Sequence, residues 1–309
     1  MKELNNKNEH IELFINYLRI KQKSENTIKG YKVDLCMFYD FLLSKHNFNE
    51  ITPKYLDEIS LSELDEFLSY SKNKKSVASS TQNRRKSSLQ TFFKYLVEYD
   101  YIKNNMSLRL QAPKIEKRLP VYMTLNESKQ LLNIIDDNIR DKAIITLFLN
   151  CGLRLSELIS ININDINFET KTMKIVGKGD KQRTIYLNDA CIKILQEYLQ
   201  ERKDIQKQIK NKESKNALFL NRYNERISKV GVERIVKKYI ERLGLDKHIT
   251  PHKLRHTFAT IMFKYGNVDI RKLQEILGHS NVNTTTIYTH VDNQQLHDAV
   301  QNNPLNDVV

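Results

Sequence analysis

Apolar residues recur every three or four positions through most of this chain. Ile11, Phe14, Ile15 and Leu18 make one such stripe. Ile28, Tyr31, Leu35, Phe38, Phe41 and Leu42 make a second, over about 25–45. That period places one apolar face on an α-helix. Thr52-Pro53 puts a proline near another helix start, where its missing N–H costs nothing. Leu61, Leu64, Phe67 and Leu68 mark a further helix, and Ser79-Ser80-Thr81-Gln82 is a candidate capping box opening one that runs through Tyr99. The first 112 residues therefore read as a bundle of four or five helices.

The pattern breaks at Gln111-Ala-Pro-Lys-Ile-Glu-Lys-Arg-Leu-Pro-Val-Tyr122, with two prolines, four charges and no periodicity. This divides the chain into a helical domain at 1–112, a linker at 113–122 and a second domain at 123–309. Thr124-Leu125-Asn126-Glu127 has the form of a capping box, and helices are expected at about 125–136, 139–150 and 155–160. From Ile161 to Leu187 the period changes to two. Phe168, Met173, Ile175 and Val176, then Thr184, Ile185 and Tyr186, read as short strands, with Gly177-Lys-Gly-Asp-Lys181 as the turn. Helical spacing resumes over about 189–208, 229–243, 252–265 and 269–277, and a last helix is expected over 292–301. The fold class is mainly α, with a small β-hairpin or sheet in the C-terminal domain.

Composition narrows the partners. The 309 residues suit two domains, and 8 Gly with 5 Pro leave few turns. The formal net charge of +13 favours a polyanion. The excess is shared, with 18 Lys/Arg against 14 Asp/Glu in residues 1–112 and 32 against 23 in 113–309. A Lys-rich proteome would give the same total. Cys36, Cys151 and Cys191 are odd in number, far apart in the sequence and set among apolar neighbours, which suits reduced thiols of a cytoplasmic protein. Met1 to His10 is polar and does not resemble a signal peptide. Apolar runs such as Ala143–Leu149 are far short of the ~20 residues that span a bilayer. No membrane partner is expected.

The chemistry concentrates near the C-terminus. Thr250-Pro-His-Lys-Leu-Arg-His256 places His252 and Arg255 three apart, on one helix face just after a proline. Leu277-Gly-His-Ser280 and Ile287-Tyr-Thr-His290 supply His279 and Tyr288. Upstream, Cys151-Gly-Leu-Arg-Leu-Ser-Glu157 supplies Arg154, and Val176-Gly-Lys-Gly179 supplies Lys178. Guanidiniums match two phosphate oxygens at once and stay charged. A tyrosine has a pKa of about 10, so it attacks at neutral pH only with a base or a strong cationic field nearby. Read singly, each residue has a plainer meaning. Tyr288 is one of 15 tyrosines, Lys178 a solvated turn lysine, His279 a residue after a helix-ending glycine, and Arg154 an ion-pair partner of Glu157. His252 and His256 have the spacing of a zinc helix. The second-position Glu is missing and Arg255 lies between them, so zinc is rejected. His256 reads as a packed or hydrogen-bonded histidine.

In order and spacing, Arg154, Lys178, His252, Arg255, His279 and Tyr288 resemble the tyrosine recombinases, the site-specific DNA recombinase or integrase family, most closely the two-domain Xer type. The resemblance spans nearly the whole chain. It implies a SAM-like core-binding domain at the N-terminus and a catalytic domain from about residue 123. It also implies roles. Tyr288 is the nucleophile that forms a 3′-phosphotyrosyl link, and Lys178 protonates the leaving 5′-oxygen. His252 accepts the tyrosine proton. Arg154, Arg255 and His279 hold the transition state, with Glu157 orienting the site behind them. The freed 5′-hydroxyl then attacks a partner duplex to give a Holliday junction. Neither metal nor nucleotide cofactor is implied. Lys74, Lys75, Arg84, Arg85 and Lys86, with Lys181 and Arg183 on the hairpin, are the candidate DNA-backbone contacts, although such a cluster can equally be a solvated face.

The implied partner is double-stranded DNA with two inverted half-sites, bound by a homo- or hetero-tetramer, with a DNA translocase as a candidate activator. The segment through Leu296 and Val300 resembles a terminal helix that docks on a neighbouring protomer. The biological role expected is Xer-type resolution of chromosome or plasmid dimers, in chromosome partition and cell division. The alternative is an integrase or excisionase of a phage or conjugative transposon. Many such integrases carry an extra N-terminal arm-binding domain, whereas this chain starts almost directly with the core-binding helices. A type IB topoisomerase and a non-catalytic DNA-binding module stand behind these two.

Overall fold

The computed structural model describes residues 9–73, 79–111, 121–177, 182–206, 209, 211–266 and 268–278. The chain forms two compact units, Met1–Arg118 and Leu119–Val309.

The first unit is helical. It contains α1 (Glu9–Ile20), α2 (Glu25–His46), α3 (Pro53–Glu58), α4 (Leu61–Asn73) and α5 (Ser79–Glu98), followed by a short 3-10 turn at Met106–Arg109. Ser24 and Thr52 cap α2 and α3 by accepting from the amides of Thr27 and Tyr55, and Pro53 opens α3 as expected. The apolar stripes of α1, α2, α4 and α5 converge on one aromatic core. Phe38 meets Phe67 edge-on at 5.0 Å between centroids, and Phe14 meets Phe92 at 5.3 Å. Buried beside this core lies Asp34 of α2, ion-paired with Arg84 and with Arg85 of α5. Burial pushes the Asp34 carboxyl up, against the pull of the two guanidiniums.

The second unit begins with the capping box read from the sequence. Thr124 accepts from the Glu127 amide at 3.2 Å, and Glu127 returns by accepting from the Thr124 amide at 2.7 Å. That opens α6 (Leu125–Asn133). Next comes α7 (Ile139–Cys151), which is buried almost throughout, and then α8 (Leu155–Ser160). A three-stranded antiparallel sheet follows in the order β1 (Ile166–Asn167), β2 (Thr172–Val176), β3 (Gln182–Tyr186). Met173 pairs with Ile185, and Ile175 with Arg183. Met173, Ile175 and Ile185 are buried. Phe168, expected in a strand, lies instead in the turn after β1.

The remaining helices are α9 (Asp189–Gln206), α10 (Lys212–Lys215), α11 (Lys229–Arg242), α12 (Pro251–Tyr265) and α13 (Ile270–Leu277). Helix α7 forms the centre of the unit, packed against α9 and α12. Cys151 and Cys191, distant in sequence, meet there as buried thiols 3.8 Å apart. No helix among the described residues is long and apolar enough to cross a membrane. The expected helix at 292–301 lies outside the described residues, as does most of the linker.

Candidate active site

The site is built where α7 ends. Gly152 adopts a left-handed conformation with φ +59°, so α7 stops and the chain turns back. Its missing side chain matters twice, because a Cβ there would stand 2.3 Å from the Phe258 ring of α12. Two residues later Arg154 is the N-cap of α8, and Glu157 in the first turn accepts from the Arg154 backbone N–H at 2.8 Å.

Glu157 is 1% exposed and is the carboxylate around which the cations gather. Arg154 Nη1 donates to its Oε1 at 2.7 Å. Arg183 of β3 grips both oxygens, Nη1 to Oε1 at 2.6 Å and Nη2 to Oε2 at 3.0 Å. Arg255 Nη1 lies 3.8 Å from Oε2. Burial alone would push the carboxyl up. The hydrogen bonds and charges of Arg183 and Arg154 outweigh it and hold Glu157 below the usual range, so it stays ionised. These four side chains carry three positive charges and one negative.

Helix α12 supplies the next group. Thr250 caps it, accepting from the Lys253 amide, and Pro251 occupies its first position. This sets His252 at the exposed start of the helix, with Arg255 one turn further in. Arg255 is 4% exposed, donating from Nη1 to the Gly152 carbonyl at 2.6 Å and from Nη2 to the Leu277 carbonyl at 2.7 Å. Arg154, with its side chain 33% exposed, donates from Nη2 to the Gly278 carbonyl at 2.8 Å. Both guanidiniums thus hold the carbonyl end of α13, directly before His279 in the chain. Arg255 is the inner strut, and Arg154 faces solvent. Gly278 ends α13 with φ +63°, and a Cβ there would stand 2.9 Å from Arg183 Nη1.

Desolvation lowers the pKa of His252, and the positive fields of Arg255 and Arg154 lower it further. His256 lies behind it, its ring perpendicular at 5.2 Å, and burial followed by the His252 and Arg255 charges brings its pKa down to about 4. His252 is therefore a neutral imidazole at pH 7, able to accept a proton.

Of the residues singled out from the sequence, Arg154, Glu157, His252 and Arg255 come together. Lys178, Lys181, His279, Tyr288, Lys74 and Lys75 lie outside the described residues. Two expectations need correction. Arg85 is not a DNA-facing residue. It is 4% exposed and donates to the Ser71 carbonyl at 2.7 Å inside the first unit. Arg183 does not project from the hairpin toward a duplex but is committed to Glu157. A sequence signal for this existed. Arg183 is two residues from Ile185, so strand alternation puts it on the buried face. Arg84 and Lys86 are half-buried, Arg84 in its ion pair with Asp34.

Three arginines around one buried carboxylate give the site a net positive charge that suits an anionic group such as a phosphate. Comparison with known proteins narrows this. The profile of the Phage integrase family matches residues 121–295, and that of the phage integrase N-terminal SAM-like domain matches 10–103. The chain is 46% identical over 312 residues to the tyrosine recombinase XerC of Caldanaerobacter subterraneus subsp. tengcongensis, covering 96% of this chain and 86% of that one. It is 34% identical to the tyrosine recombinase XerD of Oceanobacillus iheyensis, covering 94% and 96%. Among solved structures, the XerH site-specific recombinase bound to palindromic difH substrate, a post-cleavage complex, superposes with a TM-score of 0.72 at 28% identity, covering 89% of this chain and 79% of that one. The chain belongs to the phage integrase family, as a Xer-like tyrosine recombinase, an enzyme of site-specific DNA strand exchange.

Proposed function

We propose that this recombinase cuts and rejoins double-stranded DNA at a site of two inverted half-sites, and that its role is resolution of chromosome or plasmid dimers. The observation that carries the proposal is the pair of guanidiniums, Arg154 and Arg255, fixed by Glu157, Gly152 and the carbonyls of Leu277 and Gly278. Preorganised cations of this kind stabilise the extra charge of a pentacoordinate phosphorane without reorganising during the reaction. The relatives named XerC, XerD and XerH support the same reading.

In the proposed reaction the Tyr288 hydroxyl oxygen attacks the scissile phosphorus. Its proton passes to His252, whose lowered pKa keeps it neutral and receptive. The bond from phosphorus to the 5′-oxygen breaks, and Lys178 gives that oxygen its proton. His279 joins Arg154 and Arg255 on the non-bridging oxygens. The product is a 3′-phosphotyrosyl link and a free 5′-hydroxyl. The ester conserves the bond energy, so the hydroxyl of the partner duplex can reverse the chemistry and rejoin the strand. Residues 1–112 serve as the core-binding domain, 113–122 as the linker and 123–309 as the catalytic domain. A tetramer joins two sites, with a DNA translocase as its activator.

The test is covalent trapping on nicked genomic DNA fragments, with the trapped DNA sequenced, wild type beside Tyr288→Phe. Wild type should give an SDS-stable adduct concentrated at one chromosomal site, and Tyr288→Phe should bind DNA and give none. An adduct in the variant would refute the nucleophile. Adducts at the ends of a mobile element would replace dimer resolution with integration.

A further inference from the structure

Three guanidiniums share one buried carboxylate, and they do not share it equally. Arg183 grips Glu157 with two prongs, bonding both of its oxygens. Arg154 makes one side-chain bond to Glu157 and spends another donor on Gly278. Arg255 stands off at 3.8 Å and is anchored by two carbonyls instead. Arg183 is also packed directly against Gly278, where an added Cβ would meet its Nη1 at 2.9 Å. It belongs to the site on both its flanks.

The charge balance follows. Bidentate guanidinium–carboxylate pairing is the strongest form of this contact. If Arg183 is the counter-ion of Glu157, the charge of Arg154 stays available to a dianionic transition state. Without Arg183, Arg154 becomes the nearest cation to a buried carboxylate, and the field at the phosphate drops by one unit charge. An acceptor oxygen is needed at this position in any case, because Glu157 also takes the Arg154 backbone N–H at the start of α8, and a glutamine oxygen can supply it.

We propose that Arg183 is a positioning residue for strand cleavage, the counter-ion that neutralises Glu157 and so keeps the Arg154 charge for the scissile phosphate. This rests on the reading of Arg154 and Arg255 as the phosphate clamp. It assigns Arg183 a part in the chemistry and none in gripping the DNA backbone.

The experiment compares single-turnover cleavage of a nicked duplex carrying the recombination site by the full-length chain and by Arg183→Ala, Glu157→Gln, the double variant, Arg183→Lys and Arg154→Ala. Binding to the same duplex is measured by gel shift as the control for folding. Arg183→Ala should bind as wild type and cleave about a hundredfold more slowly, the size of effect typical of one lost oxyanion donor. Glu157→Gln removes the charge that Arg183 balances, so the double variant should cleave faster than Arg183→Ala alone. Arg183→Lys keeps the charge without the fork and should retain most of the rate. A double variant no faster than Arg183→Ala would overturn the inference, as would an Arg183→Lys that binds but does not cleave. So would an Arg183→Ala whose loss lies wholly in DNA affinity with a reduced salt dependence, since that is a backbone contact. Arg154→Ala separates the two levels. If it cleaves as wild type, the clamp itself is wrong and the inference falls with it. If it is inactive while the double variant fails to recover, only the role of Arg183 is wrong.

Discussion

Arg255 Nη1 bonds the Gly152 carbonyl at 2.6 Å, and the Phe258 ring, one turn along the same helix, fills the place where a Gly152 side chain would stand. One glycine thereby ends α7, admits α12 to close contact and presents a carbonyl to a buried guanidinium.

Gly152→Ala should therefore harm stability and activity together. The left-handed backbone costs an L-residue about 1–2 kcal/mol, and overpacking a core adds about 1–3 kcal/mol. A loss on the order of 3 kcal/mol is expected by denaturant unfolding of the full chain. Adding Phe258→Leu should recover part of it, since the two residues compete for the same space. A double variant no more stable than the single would show that the backbone conformation alone sets the cost.

Acid should act on cleavage and on stability in the same direction. His252 works as a base only when neutral, and its pKa is lowered, so the single-turnover rate should hold level as pH falls through about 6.5, the ordinary histidine value. It should decline only at more acid pH. His256 is held near a pKa of about 4 in the folded chain, while in the unfolded chain it takes a proton near about 6.5. Between those values the unfolded state binds more protons, so stability is full above the upper one and is lost as pH falls toward the lower. Melting temperatures across this window should flatten in His256→Gln. A variant with the same slope as wild type would place the effect elsewhere.

Two neighbours in the basic run of α5 should behave oppositely. Arg85→Ala removes a buried cation beside Asp34 and should cost on the order of 3 kcal/mol of stability. Lys86→Ala should change stability by less than about 0.5 kcal/mol. If Lys86 contacts a phosphate, its loss should lower the slope of affinity against salt by about one. Calorimetry and salt titrations of binding read both. An Arg85→Ala that melts as wild type but binds DNA poorly would return Arg85 to the surface role.

The choice between the hairpin lysines can be tested through the leaving group. Lys178→Ala should lose cleavage, with little loss of binding, by about the 10²–10⁴-fold typical of a general acid. Replacing the bridging 5′-oxygen with sulfur, a leaving group that needs no proton, should restore most of it. Loss and sulfur rescue in Lys181→Ala, with Lys178→Ala unaffected, would transfer the role.

The helices were legible because each buries one face, and a face of period 3.6 is written in the order of residues. The Thr124–Glu127 box and the hairpin's alternation were legible for the same local reason. So were the motifs that place this chain among the tyrosine recombinases, since Arg154, His252 and Arg255 stand in short, distinctive runs. Arg85 was misread because charge was weighed above period. Gln82, Arg85, Leu89 and Phe92 share one face of α5, and the face belongs to the core.

Other features depend on what stands across a gap that sequence does not measure. Asp34 makes burial of Arg85 tolerable, and it comes from a helix some fifty residues earlier. Glu157 and Gly152, Arg183, and the carbonyls of Leu277 and Gly278 arrive from three separate stretches of chain. Local spacing determined which residues carry charge and which segments fold as helix or strand. Only the packing of α7, α8, α12, α13 and β3 against one another decided which cation balances which carboxylate, because electrostatic pairing follows distance in space and the desolvation that comes with burial.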